Sequence, residues 1–195
     1  MRIDVLMYDG IAEMDALLTF DVLARARVMG VDVAPALVTV DGRTEVTGCY
    51  GTGFAGLRGW DPASAGALLV AGGWDLDVIE ASELPGQVRA YKEQAGERLL
   101  LGGIDSGALI FGAAGLLNGR PATTFRPDME YLSKWADVVD ARIVDDGDLV
   151  TSGSGWLAGL DLGLYLVAER LGAPHVAVEI EGRIGHDRRG TVWRR

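Results

Sequence analysis

The stretch LLLGGIDSGALIFGAAGLLNGRPATTF, residues 99–125, decides the fold. Its first residues are a short apolar run meeting paired glycines at 102–103, the pattern of a strand buried on both faces of a parallel sheet. Four residues later the pattern turns into small and apolar residues of helical character, GALIFGAAGLL. A buried strand that passes through a Gly-flanked turn directly into a helix is the arrangement of a nucleophile elbow, which holds one side chain on a sharp bend with small residues around it. The side chain so placed here is Asp105. It also stands at the start of a helix, where an acid is favoured electrostatically and where Asp is a common N-cap. Catalysis and helix capping are therefore both open for it.

Working outward, strand-like and helix-like runs alternate. RIDVLMY (2–8) reads as a strand ending at Asp9-Gly10, and residues 12–30 as an amphipathic helix stopped by Gly30. DVAPALVTV (32–40) is the next strand, with short strands expected at TEVTG and TGFAG. ALLVAGG (67–73) repeats the pattern of apolar run and paired glycines. A helix is expected after Pro85, a short strand at ATT (122–124), a helix over 128–136 and a β-hairpin over 141–153 with a DDGD turn. A last long helix spans 156–172, with Gly172 and Pro174 as its stop signals. The alternation predicts an α/β fold, a mostly parallel sheet with helices on both faces, in a single domain over residues 1–195. In such sheets sites form at the carboxyl ends of strands. Asp9-Gly10, Gly72-Gly73 and Gly102-Gly103 mark three of them.

Composition narrows the chemistry. The 195 residues carry 28 acidic and 18 basic side chains, a formal charge of −10, which argues against a phosphate-binding surface and hence against nucleic acid as a partner. No apolar run approaches the roughly 20 residues needed to span a bilayer. The N-terminus carries aspartates where a signal peptide is apolar, so a cytoplasmic protein without membrane contact is expected. Cys49 is the only cysteine, and the two histidines, His175 and His186, both come late in the chain. These counts exclude an internal disulfide and a CxxC motif and weaken zinc sites, Ser/His/Asp triads and Cys/His dyads. No metal or cofactor motif is found. The 28 glycines, about twice ordinary usage, point to many tight turns and close approaches.

Four blocks in order carry a family resemblance. The elbow segment 99–125 resembles the pattern CTGxxxLAxAGLLxGxxATTHW of the ThiJ/PfpI superfamily, the class I glutamine-amidotransferase-like group with a flavodoxin-like, three-layer fold. YDGIAEMDALLTFDVL (8–23) is similar to that family's first helix, VAGG (70–73) to its VPGG turn, and LVTSGSGWLAGLDLGLYLV (149–167) to its TSGGxxAGIDLALxLV segment. The resemblance covers most of the chain. It implies that Asp15 stands where the family carries an acid beside its nucleophile, and that the protein is a homodimer. Within the superfamily the chain is most similar in tone to the isocyanide hydratases and to the sensor domains of some transcription regulators.

Two departures matter. Where the family has its elbow cysteine this chain has Asp105, and where many members have a histidine after ATT it has Phe125. Thiol chemistries such as glyoxalase, deglycase and amidase activity are therefore not carried over. Two adjacent carboxylates instead share a proton, because repulsion raises the pKa of one of them. That is equipment for general acid–base catalysis. The expected site thus consists of Asp105 and Asp15 as acid and base, with the N–H groups of Gly72, Gly73 and Ser106 as donors to an oxyanion. Trp74, Phe125 and Trp156 are candidates for an apolar wall, with packing or interface roles as the alternative for the two tryptophans.

A cofactor-independent hydratase or lyase acting on a small molecule by hydration, elimination, cyclisation or isomerisation is expected. A hydrolase with an Asp nucleophile comes behind it. A catalytically retired small-ligand sensor is the alternative. Regulatory relatives usually carry a helix-turn-helix domain after this fold, and since none follows residue 195 the enzyme is favoured. Asp161, inside the last helix, is expected to make a structural hydrogen bond, and the arginines at 188, 189, 194 and 195 to form a solvated or packing surface.

Overall fold

A computed structural model describes residues 1–73, 81–153, 155–188 and 190–195. An eight-stranded sheet runs through the molecule in the order β12-β10-β11-β7-β6-β1-β2-β5. Its centre is formed by β1 (Arg2–Leu6), β6 (Ala67–Ala71) and β7 (Leu100–Ile104), all parallel. β2 (Ala34–Thr39) and β5 (Arg58–Gly59) extend it on one side. On the other side lie β11 (Leu149–Ser152), β10 (Ile143–Asp145) and β12 (Val192–Arg194), and only the β10–β11 hairpin is antiparallel. β3 (Glu45–Thr47) and β4 (Gly53–Ala55) make a separate hairpin, and β8 (Pro121–Ala122) pairs with β9 (Asp137–Val138).

The central strands are β-branched and leucine-rich because both of their faces are covered. Every residue of β6 and β7 is buried. On one face α1 (Glu13–Val28) lies against α5 (Ala158–Tyr165) and α6 (Pro174–Ile184). On the other face α2 (Leu84–Ala95), α3 (Gly107–Ala113) and the single turn α4 (Met129–Leu132) pack together. Phe111 on α3 is completely buried. Truncating such a side chain to alanine costs about 3–5 kcal/mol.

Two glycines let helices approach the site closely. A methyl at Gly107 would lie 2.0 Å from Val70 O, so α3 starts directly on the end of β6. A methyl at Gly159 would lie 2.2 Å from Asp15 O, so α5 touches the backbone of α1 at the very residue expected to be catalytic. Thr19 Oγ1 sits in that junction, 3.0 Å from Asp15 O and 2.8 Å from Gly159 O.

The late chain departs from the reading of its sequence. The expected long helix over 156–172 is a short 3-10 turn (Gly155–Leu157), then α5, then a π-helical segment (Leu166–Arg170). Pro174 does not merely end a helix. It opens α6 at the first-turn position, where its missing N–H costs nothing. That helix and the edge strand β12 lie beyond the elements expected. The helix over 128–136 shrinks to α4 after a 3-10 turn (Arg126–Asp128).

Candidate active site

Asp105 is the only non-glycine residue with positive φ, 54°, among the described residues. Such a conformation costs of order 1–3 kcal/mol and persists only where the surroundings impose it. Here Asp105 N donates to Ser152 O at 2.9 Å and Asp105 O accepts from Thr124 Oγ1 at 3.0 Å, which fixes the bend between β7 and α3. The N-cap of α3 is Ser106, so Asp105 stands one residue before the capping position that was open to it. Its carboxylate is met instead by the N–H of Ser106.

Asp15 comes from the first turn of α1 and is 4% exposed. Asp15 Oδ1 and Asp105 Oδ1 are both buried without a hydrogen-bond partner. The Asp15 carboxyl feels the charge on Asp105. Burial pushes the Asp15 carboxyl up to about 8, and the charge on Asp105 adds to that shift. Burial also pushes Asp105 up, to about 6; the Asp128 charge adds to the shift while the Ser106 N–H and hydroxyl oppose it. Asp105 therefore ionises first, and burial, with the negative charge of Asp105 adding to it, keeps Asp15 protonated at neutral pH.

Two members of this cluster were not singled out in the sequence. Tyr8 lies just past β1 and is 8% exposed; its hydroxyl donates to Ala71 O at 2.7 Å. Burial, with Asp15 and Cys49 adding, holds its phenol protonated far above the ordinary range. Asp128 closes the 3-10 turn before α4 and accepts a 2.6 Å hydrogen bond from Ser106 Oγ. Tyr8 follows a strand end and was legible in principle; nothing local marks Asp128. Cys49, on the β3–β4 loop, donates to Glu13 Oε2 at 3.1 Å, and burial with that partner pushes its thiol up to about 11.

The other expected site residues are only partly assembled. Gly72 N–H donates to Ile104 O at 3.1 Å and the Ser106 N–H serves the Asp105 carboxylate, so neither is free for an oxyanion. Gly73 forms a single antiparallel bridge with Ile11. Phe125 is half-buried beside a cavity of about 530 Å³ that reaches Arg126, Gly153 and Gly155. Trp156 is 76% exposed and walls no buried pocket in the single chain, because its short 3-10 turn lies at the surface. Trp74 lies outside the described residues. Asp161 is structural as expected: it is 2% exposed, pairs with Arg142 and lies 3.0 Å from His186 Nε2. Of the tail arginines, Arg188 pairs with Glu181, Arg194 with Glu169 and Arg195 with Asp146. Arg189 is outside the described residues. Among the described residues no three His, Cys, Asp or Glu side chains converge to hold a metal ion.

A sequence model described as the DJ-1/PfpI family matches residues 1–169. The chain belongs to that family. The structure of Drosophila melanogaster DJ-1beta superimposes with a TM-score of 0.80 at 20% identity, over 96% of this chain and 98% of that one, which shows the shared fold. The isonitrile hydratase of Pseudomonas putida is 38% identical over 82 residues, 42% of this chain and 36% of that protein. A second relative, the HTH-type transcriptional regulator GlxA of Rhizobium meliloti, is 40% identical over 75 residues, 37% of this chain and 23% of that protein. The chain spans well under half the length of these curated relatives. With regulators among DJ-1/PfpI relatives, the expectation that nucleic acid is no partner rests on net charge alone. Among the described residues no helix is long and apolar enough to cross a membrane.

Proposed function

We propose that this protein is a cofactor-independent enzyme of the hydratase or lyase type that uses Asp15 as general acid and Asp105 as general base on a small organic molecule. The observation that carries the reading is the opposed ionisation of the two carboxyls: Asp15 held protonated to about 8 and Asp105 ionised above about 6, each with one buried oxygen free of partners. A pair poised on either side of neutrality gives and takes a proton in one turnover.

Isocyanide hydration fits this equipment, and the relationship to an isonitrile hydratase supports it. Asp15 gives its proton to the terminal carbon, leaving a nitrilium ion. Asp105 takes a proton from the water that adds to that carbon, forming the imidic acid. Asp105 then returns its proton to nitrogen while Asp15 recovers one from the hydroxyl, which yields the formamide and restores both groups. The test is conversion of aryl and alkyl isocyanides to formamides, followed by NMR. Wild type turns over, whereas Asp105→Asn and Asp15→Asn lose activity with the fold intact. Unchanged rates in either variant defeat the mechanism.

A ligand sensor in the same cleft is the second reading, favoured by the relationship to a transcriptional regulator; it predicts ligand binding with no turnover in any variant. In either case we propose a homodimer. Met14 and Leu17 on α1 are 50% and 37% exposed, and Trp156 and Leu157 on the turn packed against α1 are 76% and 40% exposed. Exposed apolar residues on neighbouring elements suit an interface. Light scattering showing a monomer at micromolar concentration would remove that part of the proposal.

A further inference from the structure

Charge is distributed unevenly around the elbow. Asp15 on α1, Asp105 on the bend and Asp128 before α4 all face it, and among the described residues none of the three is ion-paired to Lys, Arg or His. The cations closest in sequence are committed elsewhere: Arg25 pairs with Asp21, Arg98 donates to the carbonyls of Pro62, Ala63 and Ala65, and Arg126 pairs with Asp140. Donors at the bend are committed as well. Gly72 N–H serves Ile104 O, Tyr8 hydroxyl serves Ala71 O, and Ser106 hydroxyl serves Asp128. What is left over is carboxyl: the buried, unpartnered Oδ1 of Asp105, an acceptor once ionised, and that of Asp15, which is 4% exposed and becomes an acceptor when its carboxyl gives up its proton.

An oxyanion site is the reverse arrangement, with free donors and no acceptors aimed at the reacting atom. We propose that the elbow is a cation-stabilising site: it accepts neutral molecules that become positively charged on protonation, binds compact organic cations that mimic that state, and rejects carboxylates and phosphates. The inference rests on the reading of the elbow as an acid–base site and names its substrate class. A nitrilium, iminium or carbocation-like transition state gains from Asp105 and Asp128 together, while an anion brought to the same place is repelled by both. Hydrolytic routes through a tetrahedral oxyanion are disfavoured on the same ground.

Binding of a cation has a protonic consequence. A positive charge beside Asp15 favours its carboxylate, so the proton it holds at neutral pH is released to solvent. The groups facing this equilibrium are Asp105 and Asp128 at the elbow, Tyr8 past β1, and the Cys49–Glu13 pair beyond Tyr8.

The experiment compares benzamidinium, benzamide and benzoate, three probes of nearly one shape, by calorimetry at pH 7 in two buffers of different ionisation enthalpy. Benzamidinium is expected to bind at least about tenfold more tightly than benzamide, with benzoate silent. It should release a substantial fraction of one proton per molecule bound. Asp105→Asn and Asp128→Asn should each reduce the preference for the cation, and the wild-type proton release stands by itself should either variant fail to fold. Benzoate binding as tightly as benzamidinium, no binding by any of the three at millimolar concentration, or cation binding without proton release overturns the proposal. Cation selectivity without isocyanide turnover would leave this inference standing and remove the hydratase reading. Turnover together with tight benzoate binding would do the opposite.

Discussion

The hydroxyl of Ser106 donates to Asp128 Oδ2 at 2.6 Å, while Asp105 Oδ2 lies 3.4 Å from Ser106 Oγ. Asp128 therefore takes the better hydrogen bond and leaves the elbow carboxylate less satisfied, which keeps it basic. Asp128→Asn removes a negative charge from beside Asp105 and should lower the pKa of Asp105 below about 6. Ser106→Ala removes a hydroxyl that favours the ionised form and should raise it. Opposite displacements of the acidic limb of the rate–pH profile in the two variants check this. Displacement in the same direction contradicts it.

Asp15 sets a stability trend of unusual sign for a carboxyl. Its folded pKa, about 8, lies above the unfolded value of about 3.8, so between those values the folded state binds the extra proton. This contribution lowers stability progressively as pH rises from 4 to 8, and the penalty is fully present above 8. Asp15→Asn keeps the shape and removes the penalty. The variant should match wild type near pH 4 and exceed it near pH 8 by a few kcal/mol, on the order expected for a shift of this size. Urea unfolding at the two pH values measures the difference.

Gly159→Ala tests the junction that carries Asp15. The added methyl would lie 2.2 Å from Asp15 O and 2.8 Å from Thr19 Oγ1, and the first of these is backbone. Separation of α1 from α5 should cost about 1–3 kcal/mol. Activity should fall further than that loss of stability explains, because Asp15 moves. A variant as stable and as active as wild type would show that the close approach is not needed.

Cys49 should be dispensable. Its thiol is held protonated to about 11 and bonded to Glu13. Cys49→Ala should keep turnover within a few-fold, and alkylation by iodoacetamide should be slow at pH 8 and accelerate only as the pH approaches that value. Rapid alkylation at pH 7 with loss of activity would make the cysteine the reactive group.

Much of the central fold was legible because glycine punctuates it. The paired glycines at 72–73 follow the last residue of β6 as expected, whereas Gly102 and Gly103 lie inside β7, which runs on to Ile104, because both have to leave room for packed neighbours; the small residues after Asp105 mark the close packing of α3. Asp15 was found through its place in a motif. The companions Tyr8 and Asp128 were not, because only tertiary packing brings a strand end and a 3-10 turn to the elbow. Trp156 shows the converse: adjacency to a glycine motif in sequence says nothing about where a side chain points, and it points outward. Pro174 was ambiguous for a physical reason, since the same residue ends one helix and suits the first turn of the next.

Asp15 and Asp105, coupled at the elbow, straddle neutrality. Carbon-13 NMR titration of aspartate carboxyls, assigned through Asp15→Asn and Asp105→Asn, tests it most directly. Asp105 should titrate near 6 and Asp15 near 8, and Asp105→Asn should bring Asp15 down. Both carboxyls titrating below 5, or an Asp15 value indifferent to the loss of Asp105, would contradict it.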